Sequence, residues 1–78
     1  KKLNLDQTET SDEGLVHVGK LTSLTSLVLR STQITDDGMK HLLSLGDLTE
    51  LNVEFCTSLS DSGKTVIRNG LPNVILTE

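Results

Sequence analysis

Leu24-Thr25-Ser26-Leu27-Val28-Leu29-Arg30-Ser31-Thr32-Gln33-Ile34-Thr35-Asp36-Asp37-Gly38-Met39 is the stretch that decides the fold. Its central Leu27 has counterparts at Leu3 and Leu51, 24 positions to either side, and the residues around all three line up. Leu3-Asn4-Leu5, Leu27-Val28-Leu29 and Leu51-Asn52-Val53 carry the two-residue alternation of a short strand with one face turned inward. Five residues beyond each lead leucine stand Thr8, Thr32 and Cys56. Next come Thr10-Ser11-Asp12-Glu13-Gly14, Ile34-Thr35-Asp36-Asp37-Gly38 and Leu59-Ser60-Asp61-Ser62-Gly63, the third copy with one extra loop residue. A helical stretch follows each glycine: Met39, Leu42 and Leu43 fall at helical spacing, and Leu45 and Leu48 lead back to the next strand. Ser11, Thr35 and Ser60 each precede an acidic residue, the pattern of a hydroxyl helix cap followed by a carboxylate at the positive end of the helix dipole.

Each unit therefore reads strand, loop, short helix, return. Successive strands run the same way, so they should pair as a parallel sheet with the helices outside. No unit can bury its own apolar stripe, and roughly three or more must stack for stability. The units span approximately 3–26, 27–50 and 51–73, with a closing strand at 74–77. Gly14 to Leu24 and Gly38 to Leu48 are each ten residues apart but Gly63 to Leu71 only eight, which points to a shorter last helix. Pro72 suits the start of an edge strand that needs no donor there, with Val74 and Leu76 covering the last core layer. The chain opens mid-unit at Lys1-Lys2-Leu3 with nothing to cover the apolar side of the first strand. The expectation is the C-terminal part of a longer array, or self-association through that uncapped first unit.

Leu24-x-x-Leu27-x-Leu29-x-x-Thr32-x-Ile34 and Leu48-x-x-Leu51-x-Val53-x-x-Cys56 resemble the leucine-rich repeat, L-x-x-L-x-L-x-x-N/C-x-L, with Thr or Cys at the Asn/Cys place. Ile34-Thr35-Asp36-Asp37-Gly38-Met39 is similar to the "ITDxGL" signature of the cysteine-containing type, common in F-box proteins, and of similar bacterial repeats. Two departures stand out: Thr10 replaces the usual Ile or Leu, and Cys56 is the only cysteine. The resemblance covers nearly the whole chain. It implies an α/β leucine-rich-repeat solenoid, a short right-handed horseshoe segment with a parallel β-sheet on the concave face and short helices on the convex face. It also implies protein–protein recognition through that concave face. A purely structural C-terminal cap of a longer array is the competing reading, and substrate recognition in an F-box-like adaptor rests on family analogy alone.

Composition narrows the alternatives. At 78 residues the chain is one domain at most, or a piece of a larger one. With no Trp, no Tyr and a single Phe55, any core must be built of Leu, Val and Ile. Seven Lys and Arg against eleven Asp and Glu give a net charge of −4, and the bases do not cluster, so no nucleic-acid partner is expected. The longest aliphatic runs, Leu27-Val28-Leu29 and Val74-Ile75-Leu76, fall far short of the ~20 residues that cross a bilayer, so neither a spanning segment nor a membrane partner is expected. A lone cysteine forms no intrachain disulfide.

Three motifs invite a chemical reading. Ser62-Gly63-Lys64-Thr65 ends like a phosphate-binding loop, but Ser58 stands where that loop needs its first glycine, and the segment coincides with the repeat's own Asp-x-Gly turn. His17 and His41 lie 24 residues apart and should stack on the helical side, yet two ligands on helices ~8–10 Å apart make a poor metal site. Cys56 reads as a small buried group whose thiol bonds weakly in the turn, as the hydroxyls of Thr8 and Thr32 would. No catalytic constellation, cofactor or metal is expected, and the chain reads as a binder, not an enzyme.

The open sheet face remains. With the leucines inward, Lys2, Asn4 and Asp6 point outward in the first unit, Ser26, Val28 and Arg30 in the second, and Glu50, Asn52 and Glu54 in the third. They form columns across strands ~4.8 Å apart. The column Asp6, Arg30, Glu54 alternates in sign, and is either a self-satisfied ladder or a pattern that meets a partner's charges. Phe55 stands where Gln7 and Ser31 stand in the other units; it is either a rim anchor for a partner or, the favoured role, packed over the enlarged third loop. These outward residues apart from Lys2, together with Phe55, are the candidate protein-binding set.

Overall fold

The computed structural model describes residues 1–78. In chain order the elements are β1 (Lys2–Asn4), α1 (Asp12–Val18), β2 (Ser26–Val28), α2 (Asp36–Met39) running into a 3₁₀ turn (Lys40–Ser44), β3 (Glu50–Asn52), α3 (Asp61–Gly70) and β4 (Ile75–Thr77). The strands form one parallel sheet in the order β1-β2-β3-β4. Its register pairs Leu3 with Leu27 and Leu27 with Leu51, the row that the 24-residue period predicts, and Leu51 with Leu76, one residue further on because the third loop carries an extra residue. Helices lie against one face of the sheet and leave the other open.

The core is the strip between the two layers. Leu27, Leu29, Leu51 and Val53 enter it from the strands, Leu15, Val18, Met39, Leu42 and Ile67 from the helices, and Leu24, Leu45 and Leu48 from the returns, all buried. Each such side chain contributes ~1.5–3 kcal/mol over its exposed state, and each touches the unit before or after its own. At the first strand Leu3 and Leu5 are only half-buried, as expected of residues with a neighbour on one side.

Polar groups repeat with the same period. The Thr8 hydroxyl donates to the Leu5 carbonyl at 2.8 Å and Thr32 to Leu29 at 2.7 Å. The Cys56 thiol, buried, donates to that same Leu29 carbonyl at 2.9 Å. Thus the cysteine is a structural donor in the turn, and it reaches back one unit where the threonines stay within their own. At the opposite end of the strands, Thr25 and Thr49 donate to the carbonyls of Lys1 and Thr25, again one unit back.

Three expectations need correction. The helix-start hydroxyls are not a uniform set of caps: Ser11 and Thr35 make no side-chain cap bond, and only Ser60 accepts from an amide of its own helix, Ser62 at 3.2 Å. Instead Asp12 and Asp36, the acidic residues after Ser11 and Thr35, each grip the following unit. Thr35 donates its N–H to Asp12 Oδ1 at 2.7 Å and its hydroxyl to Oδ2. Ser60 repeats both bonds to Asp36, the N–H at 2.7 Å. A carboxylate takes these charge-assisted bonds in preference to leaving Ser and Thr to cap weakly.

The last helix is not shorter but the longest, ten residues in α3 against seven in α1 and four in α2. Leu71 is not the counterpart of Leu24 and Leu48; the distance from Gly63 to Leu76 is thirteen residues, the same as from Gly14 to Leu27 and from Gly38 to Leu51. Lys64 stands where Leu15 and Met39 stand in earlier units, and with Arg68 it pairs with Glu78, which prolongs the helix over the sheet's end. Finally, Pro72 lies in the turn before β4 and not at its first residue; Val74 and Leu76 do pack on the core.

Candidate functional site

The open face is set by strand parity. Its columns are Lys2, Ser26, Glu50 and Ile75; Asn4, Val28, Asn52 and Thr77; and, past the strand ends, Asp6, Arg30 and Glu54. Ile75 and Thr77 belong here although they were not in the sequence-derived set. The inward placement of Val74 and Leu76 already implied an outward Ile75 between them.

The charged column is half-formed. Arg30 pairs with Asp6 at 3.7 Å, but no ion pair joins Arg30 to Glu54. The guanidinium instead lies over the Phe55 ring, 5.2 Å from its centroid, a cation–π contact worth ~0.5–1 kcal/mol at an exposed site. Glu54 accepts from the Asn52 side-chain amide at 3.1 Å, which is no charge neutralisation. Glu50, exposed, has no ion-pair partner.

Phe55 does not pack over the third loop. It is 66% exposed, and its φ of 60° places it in the left-handed region, as do 57° for Gln7 and 59° for Ser31 at the same point of the other units. The corner recurs because the chain must turn sharply out of each strand. There the Cβ points away from the core, so the aromatic stands clear beside Arg30.

Asn4 and Asn52 are partly committed. Each accepts an N–H two residues on, from Asp6 and Glu54 respectively, both at 2.9 Å. Those bonds shape the strand exit; Val28, which has no such oxygen, supplies apolar surface between them. A groove of about 150 Å³ runs between β2, β3 and β4, with Val28, Glu50, Asn52, Ile75 and Thr77 on its walls.

The other candidate chemistries resolve into structure. Gly63 makes room for the neighbouring clamp: a Cβ there would lie 2.5 Å from Asp36 Oδ1 and 2.6 Å from Leu59 Cδ1. Gly38 does the same beside Asp12, with Leu15 Cδ1 at 2.9 Å from the position a Cβ would take. Lys64 is engaged by Glu78 at 3.4 Å, and the Thr65 hydroxyl donates to the Asp61 carbonyl at 2.8 Å. Hydrogen bonds from the Ser60 hydroxyl and then the Ser60 N–H, helped by the Gly63 N–H, hold the Asp36 carboxyl below its ordinary value. His17 is exposed and His41 half-buried, and no three His, Cys, Asp or Glu side chains converge. A second cavity, about 210 Å³, lies by the last return among Leu48, Gly70, Leu71 and Pro72, with no titratable group in its walls. No helix is long and apolar enough to cross a membrane.

Residues 20–43, one full period around β2, match the family model described as Leucine Rich repeat. The fold is a leucine-rich-repeat solenoid. Among curated proteins none matches the chain. Leucine-rich repeats commonly mediate protein–protein interaction and are generally non-enzymatic. In this leucine-rich-repeat sheet the open face, with Phe55, Ile75 and Val28 near unpaired carboxylates, is the surface whose chemistry the fold does not consume.

Proposed function

We propose that the chain is a non-catalytic protein-interaction module whose concave face, with Asn4, Asp6, Ser26, Val28, Arg30, Glu50, Asn52, Glu54 and Phe55, receives a protein partner. The observation that carries this reading is the 66% exposure of Phe55, an aromatic held at a left-handed corner and topped by Arg30. Aromatics and arginines at the centre of a surface patch are the usual energetic anchors of protein interfaces. The turn ladder of Thr8, Thr32 and Cys56 supports assigning the units to the cysteine-containing repeat type or its bacterial relatives.

A photo-reactive residue at Val28, compared with one at Val16 on the convex side, tests the reading in extract of the source cell. One discrete adduct from position 28, absent from position 16 and lost when Arg30 and Glu54 exchange charges, is expected. Equal labelling from both positions contradicts it.

A second reading, a structural cap, is supported by Glu78. It occupies the place that Leu5, Leu29 and Val53 hold in earlier strands, and its ion pairs with Lys64 and Arg68 end the apolar row in charge. Under that reading charge exchange at Arg30 and Glu54 leaves partner capture intact, while Glu78→Leu changes stability alone.

A further inference from the structure

The carboxylates of the concave face are unequally engaged. Asp6 faces Arg30 at 3.7 Å, and Glu78, away on the helical side, is shared by Lys64 and Arg68. Glu50 and Glu54 have no cation within ion-pair distance. They lie four residues apart on β3 and its exit, hence no more than ~13 Å along the chain. Beside each stands an exposed apolar group: Ile75, 69% exposed and in register with Glu50, and Phe55, which follows Glu54. Lys2, in the same column as Glu50, lies two strands away, about 10 Å, beyond the reach of a strong surface interaction. The groove between β2 and β4 starts at Glu50, passes Asn52, and has Val28 and Ile75 on its walls. The β3–β4 half of the face therefore carries a carboxylate at each end, with Asn52 and Thr77 between them, Ile75 level with Glu50, and Val28 of β2 beside Asn52, while on the β1–β2 half Asp6 and Arg30 pair with each other.

Resting on the concave-face reading above, we infer that the β3–β4 half binds an extended segment of a partner protein carrying two cationic side chains about four residues apart with an aliphatic residue between them. An extended chain repeats at ~3.3 Å per residue, so cations at i and i+4 span the same interval as Glu50 and Glu54. The side chains between them alternate faces, so the middle residue turns toward the sheet level with Asn52 and meets Val28, while Ile75 lies beside the cation at Glu50. Charge complementarity of this kind governs which partner is admitted and how fast it arrives, with the apolar contact holding it.

The test uses the 78-residue chain, isotope-labelled, and two fluorescent synthetic peptides, Gly-Gly-Lys-Ala-Val-Ala-Lys-Gly-Gly and its counterpart with both lysines replaced by glutamate. Saturable binding of the lysine peptide is expected, with amide shifts confined to β3, β4, Val28 and Phe55. The affinity should fall on the order of fivefold in E50Q/E54Q and again as salt is raised from 20 to 500 mM, figures set by ordinary surface ion pairs and their screening. Ile75→Asn should weaken both the wild-type and E50Q/E54Q chains, because it removes the aliphatic contact alone. Shifts of the concave residues by the glutamate peptide instead, or lysine-peptide binding unchanged in E50Q/E54Q, overturn the cationic specificity while leaving the face as a docking surface. Lysine-peptide shifts confined to the helical side overturn both, and so does an absence of saturable binding by either peptide together with equal labelling from positions 28 and 16.

Discussion

Gly63→Ala separates a structural glycine from a phosphate-loop glycine. The new methyl would sit 2.5 Å from Asp36 Oδ1, 2.6 Å from Leu59 Cδ1 and 3.0 Å from Asp36 Cα, where ordinary contact begins at 3.4 Å. Leu59 can rotate aside, but the Asp36 backbone cannot, so α2 and α3 must separate by several tenths of an ångström. Forced overpacking costs ~1–3 kcal/mol. Loosening the Asp36 bonds to Ser60 adds to that, since a hydrogen bond to a charged group is stronger than one between neutral groups. Alanine in a helix returns ~1 kcal/mol relative to glycine. The net expectation is a loss of ~1–3 kcal/mol, a substantial part of the ~4–12 kcal/mol that holds a chain of this length. Gly46 is the control: nothing lies within 4 Å of its Cβ position and its φ is not positive, so Gly46→Ala should gain ~0.4–1 kcal/mol. Urea unfolding followed by circular dichroism reads both, with the slope expected to stay constant. In an Asp36→Ala background the Gly63→Ala penalty should shrink by at least ~1 kcal/mol, as the two changes share one contact. A Gly63→Ala chain as stable as wild type, or a penalty independent of Asp36, refutes the clamp.

Acid should unfold the chain partly through the same carboxylate. The folded Asp36 holds its proton less tightly than the unfolded one, so its contribution is present above the ordinary carboxylate pKa and is lost as pH falls through the lower folded value; Asp36→Asn should flatten the acid limb of a stability–pH curve below the ordinary carboxylate range. Leu27→Ala, at a residue 1% exposed in the middle of the row, should cost ~2–5 kcal/mol by thermal melting, and Val16→Ala on the convex surface under ~1 kcal/mol. Ser31→Asn at φ 59° should raise the midpoint by the equivalent of ~0.5 kcal/mol, since asparagine tolerates that conformation better; a lower midpoint would show that the corner is not strained.

The repeat made the strands, their direction and their register legible, because a 24-residue period leaves the lead leucines one place to meet. The Asp-x-Gly turn was legible as a helix start but not as a bond between units. A carboxylate beside a hydroxyl in sequence looks like a cap, and only the stacking distance shows that Asp12 and Asp36 reach forward while Gly38 and Gly63 clear the way. The last helix was misjudged by anchoring the count on Leu71 when Leu76 is the true counterpart of Leu51. On the concave face, parity placed each outward residue, but the choice of Arg30 between Asp6, Glu54 and the Phe55 ring depends on side-chain reach at a left-handed corner that no residue type at positions 7, 31 and 55 announces.

The most direct measurement is a nuclear Overhauser spectrum of the backbone. Parallel stacking in the described register requires cross-strand contacts linking the Leu3, Leu27, Leu51 and Leu76 neighbourhoods in that order, with the amide of Leu29 bonded toward Asn52 and that of Val53 toward Thr77. Close Hα–Hα pairs between Ser26–Val28 and Glu50–Asn52, the mark of antiparallel strands, would contradict it.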